Sequence, residues 1–363
     1  MKQKIKQLSK LLISKLHRGR IRIKFQRKIE KIIKENIILK EIDLKEIKRY
    51  WKLYDFKINT SWHEAYISVN NKYDVRYIPE YIYYQKIEPV LNDQRFLLAY
   101  TDKNIYSQIL KGIKLPETII KNINDNYFDE NDVSINANEV KNLILNSEDE
   151  LIIKPSIATY GGKNVGLIKI KNSKIYLNDK KITFNNLIKM YKTNFCIQKL
   201  VKQYHILNDV HPYSLNTIRI MTYRDKTSIK TLSSVIRFGN KKSIVDNGGI
   251  SCGVDNLGNL NSVGIDKSGK KYKKHPYTNV DLAGIKIPQY EKVHELLKKA
   301  HKQLYYFDLV SWDVAINQKG EPIIIEFNVG GQEINFHQFN NGPLFGNQTE
   351  EVLKRIKNSK MFN

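Results

Sequence analysis

The chain is poor in cysteine. Cys196 and Cys252 are its only two in 363 residues, too few for a disulfide framework and in keeping with a reducing compartment. Long apolar runs are missing as well. None approaches the roughly 20 residues of a bilayer-spanning helix, and the first segment lacks the continuous apolar stretch of a secretory signal. There is no Pro/Gly-rich linker, low-complexity tract or internal repeat. Zinc-ligand spacing, an RNP-like aromatic motif and heptads behind a basic region are also absent, which argues against the familiar nucleic-acid modules. Neither the GxxxxGK[ST] phosphate loop nor the dinucleotide fingerprint occurs.

What is present describes a globular protein. Hydrophobic residues make up 41% and charged residues 27%, enough for a sizeable core, and the length suggests two or three domains at roughly 100–200 residues each. Lysine and arginine total 61 against 37 acids, a net charge of +24. That charge is uneven: residues 1–28 contain 11 basic residues and no acid, with Ile5, Leu8, Leu12 and Leu16 at helical spacing. Residues 1–49 therefore read as a basic amphipathic helical segment. Docking on the next domain, attachment to an anionic membrane face and nucleic-acid binding are its three candidate uses, the last the weakest.

Residues 50–115, rich in tryptophan and tyrosine, read as a small α/β portion. Beyond it, β-branched and aromatic runs predict strands around 118–120, 151–154, 165–170, 195–201, 217–223, 229–238, 311–316 and 323–327. Helical patterns fall at about 136–146, 184–192, 289–303 and 348–358. Interspersed in this way, they predict an α+β architecture with largely antiparallel sheets.

The stretch Val310–Gly331 predicts a hairpin with its turn near Gln318–Glu321. If Asn317 faces Pro322, Asp313 lies opposite Glu326 and Ser311 opposite Asn328. Directly opposed side chains stand ~5 Å apart, and residues two apart share a face. Three hard oxygen ligands then converge, and two like charges side by side make sense with a divalent cation between them. Upstream, Lys154 ends an apolar strand before Gly161-Gly162, a pair that brings backbone N–H groups near an anion. Arg219, inside an apolar strand, demands an anionic partner, either phosphate or a structural carboxylate.

In order, Asp102-Lys103, Lys154 with Gly161-Gly162, Gln198-Lys199-Leu200-Val201, Asn216-Thr-Ile-Arg219 and Asp313…Glu326-Phe-Asn328 resemble the ATP-grasp superfamily. The sugar-transfer-associated branch is the nearest likeness, through Trp62-His63, Tyr77-Ile-Pro79, Gly248-Gly249-Ile250, His275-Pro276-Tyr-Thr278 and Gly284-x-x-Ile-Pro288. The likeness spans about residues 50–350. It implies two α+β subdomains gripping ATP, a small one at 116–200 and a large one at 201–363. Lys103 and Lys154 would hold ATP, Gly161 and Gly162 would form the phosphate loop, and Gln198, Lys199 and Leu200 the adenine hinge. Asp313, Glu326 and Asn328 would hold Mg²⁺, and Arg219 would steady the transferred phosphoryl. His211, His275 and His337 could each act as a base, bind substrate or be a satisfied core histidine; His275, which opens the His-Pro segment, has the best functional case. Lys199 stands where many relatives carry an acid, so adenine contact there would use backbone alone.

The implied activity is ATP- and Mg²⁺-dependent, ADP-forming ligation of a carboxylate to an amine through an acyl-phosphate, in surface-polysaccharide synthesis. The expected partners are a small-molecule or lipid-linked sugar and an amine, in the cytoplasm or peripheral at the inner membrane face. The alternatives are an ATP-grasp phosphotransferase acting on a hydroxyl and a non-catalytic basic protein that binds membrane or nucleic acid.

Overall fold

A computed structural model describes residues 29–33, 43–157, 162–246 and 248–359. The basic stretch 1–28 and Gly161 lie outside the described residues. The chain divides into two units. One comprises residues 1–90, 265–271 and 333–363, the other residues 91–264 and 272–332.

In its described residues the first unit is helical: residues 29–33, Leu44–Lys52, Ser61–Asn70, Asn335–Asn341 and Thr349–Lys357, with one π-helical turn at Tyr83–Ile87. The aromatic stretch that reads as α/β builds helices here. Trp62, Ala65, Tyr66 and Val69 fall at helical spacing and pack with Tyr77, Ile265 and Phe339. The C-terminal helices belong to this unit and not with the second sheet below. Tyr66 donates to Asn335 Oδ1 at 2.7 Å, and the Gln338 amide holds both backbone groups of Ile78 at 2.8 Å. His63 is buried beside Trp51 and Val75, and burial pushes its pKa down to about 4.

The second unit contains two sheets. The first is formed by β1 (Thr118–Ile123), β2 (Asn126–Phe128), β3 (Ser134–Ile135), β4 (Leu151–Pro155), β5 (Gly166–Lys171), β6 (Lys174–Leu177), β7 (Lys180–Ile182) and β8 (Phe195–Lys199). Their order is β3-β2-β1-β8-β4-β5-β6-β7, antiparallel throughout. Three of its hairpins close through two-residue loops with both residues left-handed, at Asn124-Asp125, Asn172-Ser173 and Asn178-Asp179. Asn and Asp tolerate that conformation, and its twist matches the flanking strands. Helix Ala137–Leu145, started by an Asn136/Glu139 capping box, and helix Phe184–Tyr191 cover one face.

The second sheet holds β9 (Thr217–Arg224), β10 (Ile229–Phe238), β11 (Ile250–Val254), β12 (Leu260–Ile265), β13 (Lys271–Tyr272), β14 (Leu309–Ile316) and β15 (Pro322–Asn328), in the order β13-β12-β11-β10-β9-β14-β15. Helix Tyr290–His301 packs Tyr290, Val293, Leu297 and Ala300 into the core with Ile218, Ile220, Ile236, Trp312 and Val314. The expected α+β character and antiparallel pairing are both present.

Candidate active site

Side chains alternate along a strand. With Ile218, Ile220, Ile236, Trp312 and Val314 committed to the core, Thr217, Arg219, Val235, Arg237, Ser311 and Asp313 fall on the other face of the second sheet. Register then aligns charges across three strands. Arg219 on β9 stands opposite Asp313 on β14, which stands opposite Glu326 on β15; Ser311 faces Asn328. Arg219 grips Asp313 with two parallel bonds, Nε to Oδ1 at 2.6 Å and Nη2 to Oδ2 at 2.5 Å, the fork geometry that arginine favours. Both side chains are buried. Burial by itself would raise the Asp313 carboxyl, but Arg219 outweighs it and holds the group below the ordinary carboxylate range. One step along the face, Asp246 accepts from Thr217 Oγ1 and pairs with Arg237 at 2.9 Å. Burial raises the Asp246 carboxyl, and Arg237 offsets only part of that.

The first sheet contributes lysines. Leu151 and Ile153 enter its core, so Lys154 projects from the opposite face, directly across from Cys196. Burial lowers the pKa of Lys154, and the Lys103 charge adds to that; burial also raises the Cys196 thiol. Lys103 sits on a 3-10 turn capped by Asp102, whose carboxylate accepts the Asn104 N–H at 3.0 Å. Its own N–H donates to Ser156 O at 2.9 Å, just past β4, while its ammonium lies 3.3 Å from Glu326 Oε2. Tyr106, one turn on, stacks on Phe327 with ring centroids 4.6 Å apart. This short segment thereby ties the polar face of one sheet to that of the other.

Four buried polar atoms around this face lack a hydrogen-bond partner within the protein: Ser311 Oγ, Asn328 Nδ2, Asn104 Oδ1 and Ser156 Oγ. Buried polar groups are normally satisfied, so these mark a place suited to a polar ligand. Among the described residues no three His, Cys, Asp or Glu side chains cluster as a metal site. The hairpin offers two opposed carboxylates and an uncommitted amide, a set that fits a hard cation whose remaining ligands are phosphate oxygens.

The other expected site residues differ in placement. Gly162 has a left-handed φ of +66°, and a Cβ there would stand 2.8 Å from Val245 Cγ1, so a side chain would be excluded twice over. At the expected hinge the backbone donors have partners inside the protein. The N–H groups of Lys199 and Leu200 are already spent on Glu117 O at 2.9 Å and Glu150 O at 2.8 Å. Gln198 donates to Thr118 Oγ1, and the Lys199 ammonium pairs with Glu117 at 2.6 Å. His275 is fully buried with both ring nitrogens hydrogen-bonded inside the protein, Nε2 with Gly239 O and Nδ1 with Thr278. It therefore has no nitrogen turned toward a ligand. Asn216, in the same motif as Arg219, is a structural knot, its amide bonded to Gln203, Leu207 and His211. The sequence signals the Thr217–Asp246–Arg237 group only through the Thr217/Arg219 alternation.

A family model described as sugar-transfer associated ATP-grasp matches residues 83–354. Trp62-His63 and Tyr77-Ile-Pro79 precede that range. Among solved structures, the chain is similar to the ATP-grasp ligase PsnB complexed with minimal precursor, Mg and ADP, at 12% identity and a TM-score of 0.43, covering 74% of this chain and 62% of that one. It is similar to N5-carboxyaminoimidazole synthetase from Staphylococcus aureus complexed with ADP, at 11% identity and a TM-score of 0.40, covering 64% and 46%. A third is D-alanine–D-alanine ligase from Bacillus anthracis, at 15% identity and a TM-score of 0.38, covering 71% and 68%. The chain thus spans less than two thirds of the length of the first two. No curated protein sequence matches it. With the model covering most of its length, the chain belongs to the sugar-transfer-associated ATP-grasp family.

Proposed function

We propose that this protein is an ADP-forming ligase that activates a carboxylate with ATP and passes it to an amine. The observation that carries this reading is the opposed pair Asp313 and Glu326, matched by Arg219 on one side and Lys103 on the other. Such a row of alternating charge is suited to a polyphosphate that carries its own metal. Asp313, Glu326 and Asn328 would hold Mg²⁺, which supplies charge neutralisation at the phosphate oxygens. Lys103 and Lys154 would bind the phosphates, and Gly161-Gly162 would close over them.

In the reaction, the substrate carboxylate attacks the γ-phosphorus and ADP leaves. The amine then attacks the acyl-phosphate carbonyl and phosphate departs. These residues supply position and charge, which is most of what phosphoryl transfer requires. Arg219 would neutralise negative charge that develops on the transferred phosphoryl. No protein nucleophile is needed, and Cys196 and Cys252 are both buried. The setting we propose is surface-polysaccharide synthesis, with a sugar acid as the carboxylate.

The test is ADP release. ADP should form in Mg²⁺ only when an acid and an amine are both present. ADP formed with a sugar alcohol and no carboxylate would replace this reading with a hydroxyl phosphotransferase.

A further inference from the structure

The His-Pro segment at 275 has no part in that mechanism. It has a twin: His211-Pro-Tyr-Ser214 and His275-Pro-Tyr-Thr278 carry nearly the same four residues 64 positions apart, and the fold brings them together. Their local bonding is the same. The Ser214 N–H donates to His211 Nδ1 at 3.2 Å, and the Thr278 N–H donates to His275 Nδ1 at 3.3 Å. A backbone N–H can only donate, so each Nδ1 is unprotonated and each ring hydrogen sits on Nε2. Those hydrogens go to Lys241 O at 2.7 Å and Gly239 O at 3.0 Å. The two imidazoles lie 5.1 Å apart, and Thr278 Oγ1 donates to Val210 O at 2.6 Å, joining the second turn to the first. Together the turns clamp residues 239–241. Gly239 is held so closely that a Cβ would meet Ser214 Oγ at 2.5 Å and His211 Cε1 at 2.7 Å.

The clamp presents two aromatic rings. Tyr213 and Tyr277 are each 42% exposed and meet edge to face, with centroids 6.0 Å apart at 71°. Exposed Pro212 and Pro276 flank them, with Lys241 and Lys242 alongside; the Lys242 ammonium lies 6.0 Å from the Tyr213 ring. Gly239 follows the end of β10 two residues after Arg237, hence ~7 Å along the strand from it. The clamp thus sits at the end of β10, where the core residue Phe238 stands 6.0 Å from the His275 ring.

We propose that the paired His-Pro-Tyr turns form the binding platform for the pyranose ring of an anionic sugar. The ring faces suit the C–H face of the sugar, the phenol hydroxyls suit its hydroxyls, and the lysines suit a carboxylate. The identification of this sugar acid as the ligated carboxylate rests on the ligase reading above; the platform itself does not.

The experiment uses the full chain and D-glucuronate as probe, followed by saturation-transfer NMR, with D-glucose and glutarate as competitors lacking the charge or the ring. D-glucuronate should bind at least tenfold more tightly than either competitor. Tyr213→Ala and Tyr277→Ala should each weaken that binding about tenfold and leave ATP binding intact, which also reports that the variants fold. Tyr213→Phe should keep most of the affinity. In an ADP-release assay with an amine present, the alanine variants should raise KM for the sugar acid with little change in kcat. A free acid and a carrier-linked sugar share this chemistry, and octyl glucuronide stands for the second. Unchanged glucuronate affinity in the Tyr213→Ala/Tyr277→Ala double variant overturns the platform, as does equal binding of glutarate or displacement by a short oligonucleotide. Tyrosine-dependent binding without ADP from any acid–amine pair overturns the ligase reading and leaves the platform standing.

Discussion

Removing the Arg219 guanidinium isolates a buried carboxylate. Asp313 is only 5% exposed and both its oxygens are bonded to Arg219. In Arg219→Met it would remain in the same low-dielectric place with its principal counter-charge gone. Breaking a buried pair on one side costs about 3–5 kcal/mol, so the variant should be destabilised by that amount at pH 8. The cost should depend on pH. In the wild type the Asp313 pKa is held down, so the pair contributes stability above the ordinary carboxylate pKa of ~3.9 and loses it as pH falls below that value. In the variant, burial is left to act and raises the pKa. Stability then falls as pH rises from about 4 through the raised pKa. The difference between the two proteins should be small near pH 4 and full at pH 8, read by urea unfolding at both. Arg219→Met/Asp313→Leu should recover most of the loss, since an apolar pair can replace a buried ion pair, and should form no ADP. A single variant as stable as wild type at pH 8 would refute the buried pair. Full activity in the double variant would refute the role proposed for these residues.

Glu326→Gln should abolish ADP formation in millimolar Mg²⁺ and shift the melting temperature little, because its side chain is 26% exposed with one ion pair at 3.3 Å; retained turnover would sink the metal assignment. Lys154→Met should lower the rate by an amount corresponding to about 2–4 kcal/mol, by analogy with loss of one oxyanion donor, and weaken ATP binding without loss of stability, since burial already disfavours the ammonium. Removing residues 1–28, with 11 positive charges and no acid, should leave ATP-dependent activity in place and end sedimentation with anionic vesicles. In the full chain that sedimentation should weaken between 0.1 M and 1 M salt, as the Debye length falls from ~10 Å to ~3 Å; full-length chain that ignores vesicles would refute membrane attachment.

The carboxylate hairpin shows how far local sequence reaches. Period-two alternation and a turn near Gln318 were enough to set Asp313 opposite Glu326, and the structure has that pair. The path to it differed. At the turn Ile316, not Asn317, faces Pro322, because Asn317 Oδ1 accepts the N–H groups of Lys319 and Glu321 and closes the loop itself. An irregularity between Asp313 and Val314 then restores the expected register. No residue announces that bulge, since it answers to packing on the neighbouring strand. The repeated His-Pro-Tyr turn spans only four residues of sequence, and its meaning depends on contact between the two copies.

By itself the sequence determined the α+β class, the principal strands, the two-residue turns rich in Asn and Asp, and the demand that Arg219 meet an anion. Each follows from side-chain size, backbone preference or the cost of burying a charge, and all of these act over a few residues. Tertiary structure decided which anion that would be. Asp313 lies 94 positions from Arg219, and Lys103 reaches a glutamate 223 positions away. Those partners are chosen by the register of β9 on β14 and by the turn that ties the two sheets together. The same long-range packing spent the Lys199 and Leu200 N–H groups inside the protein and enclosed His275, because a buried polar group is satisfied by whatever the fold brings beside it.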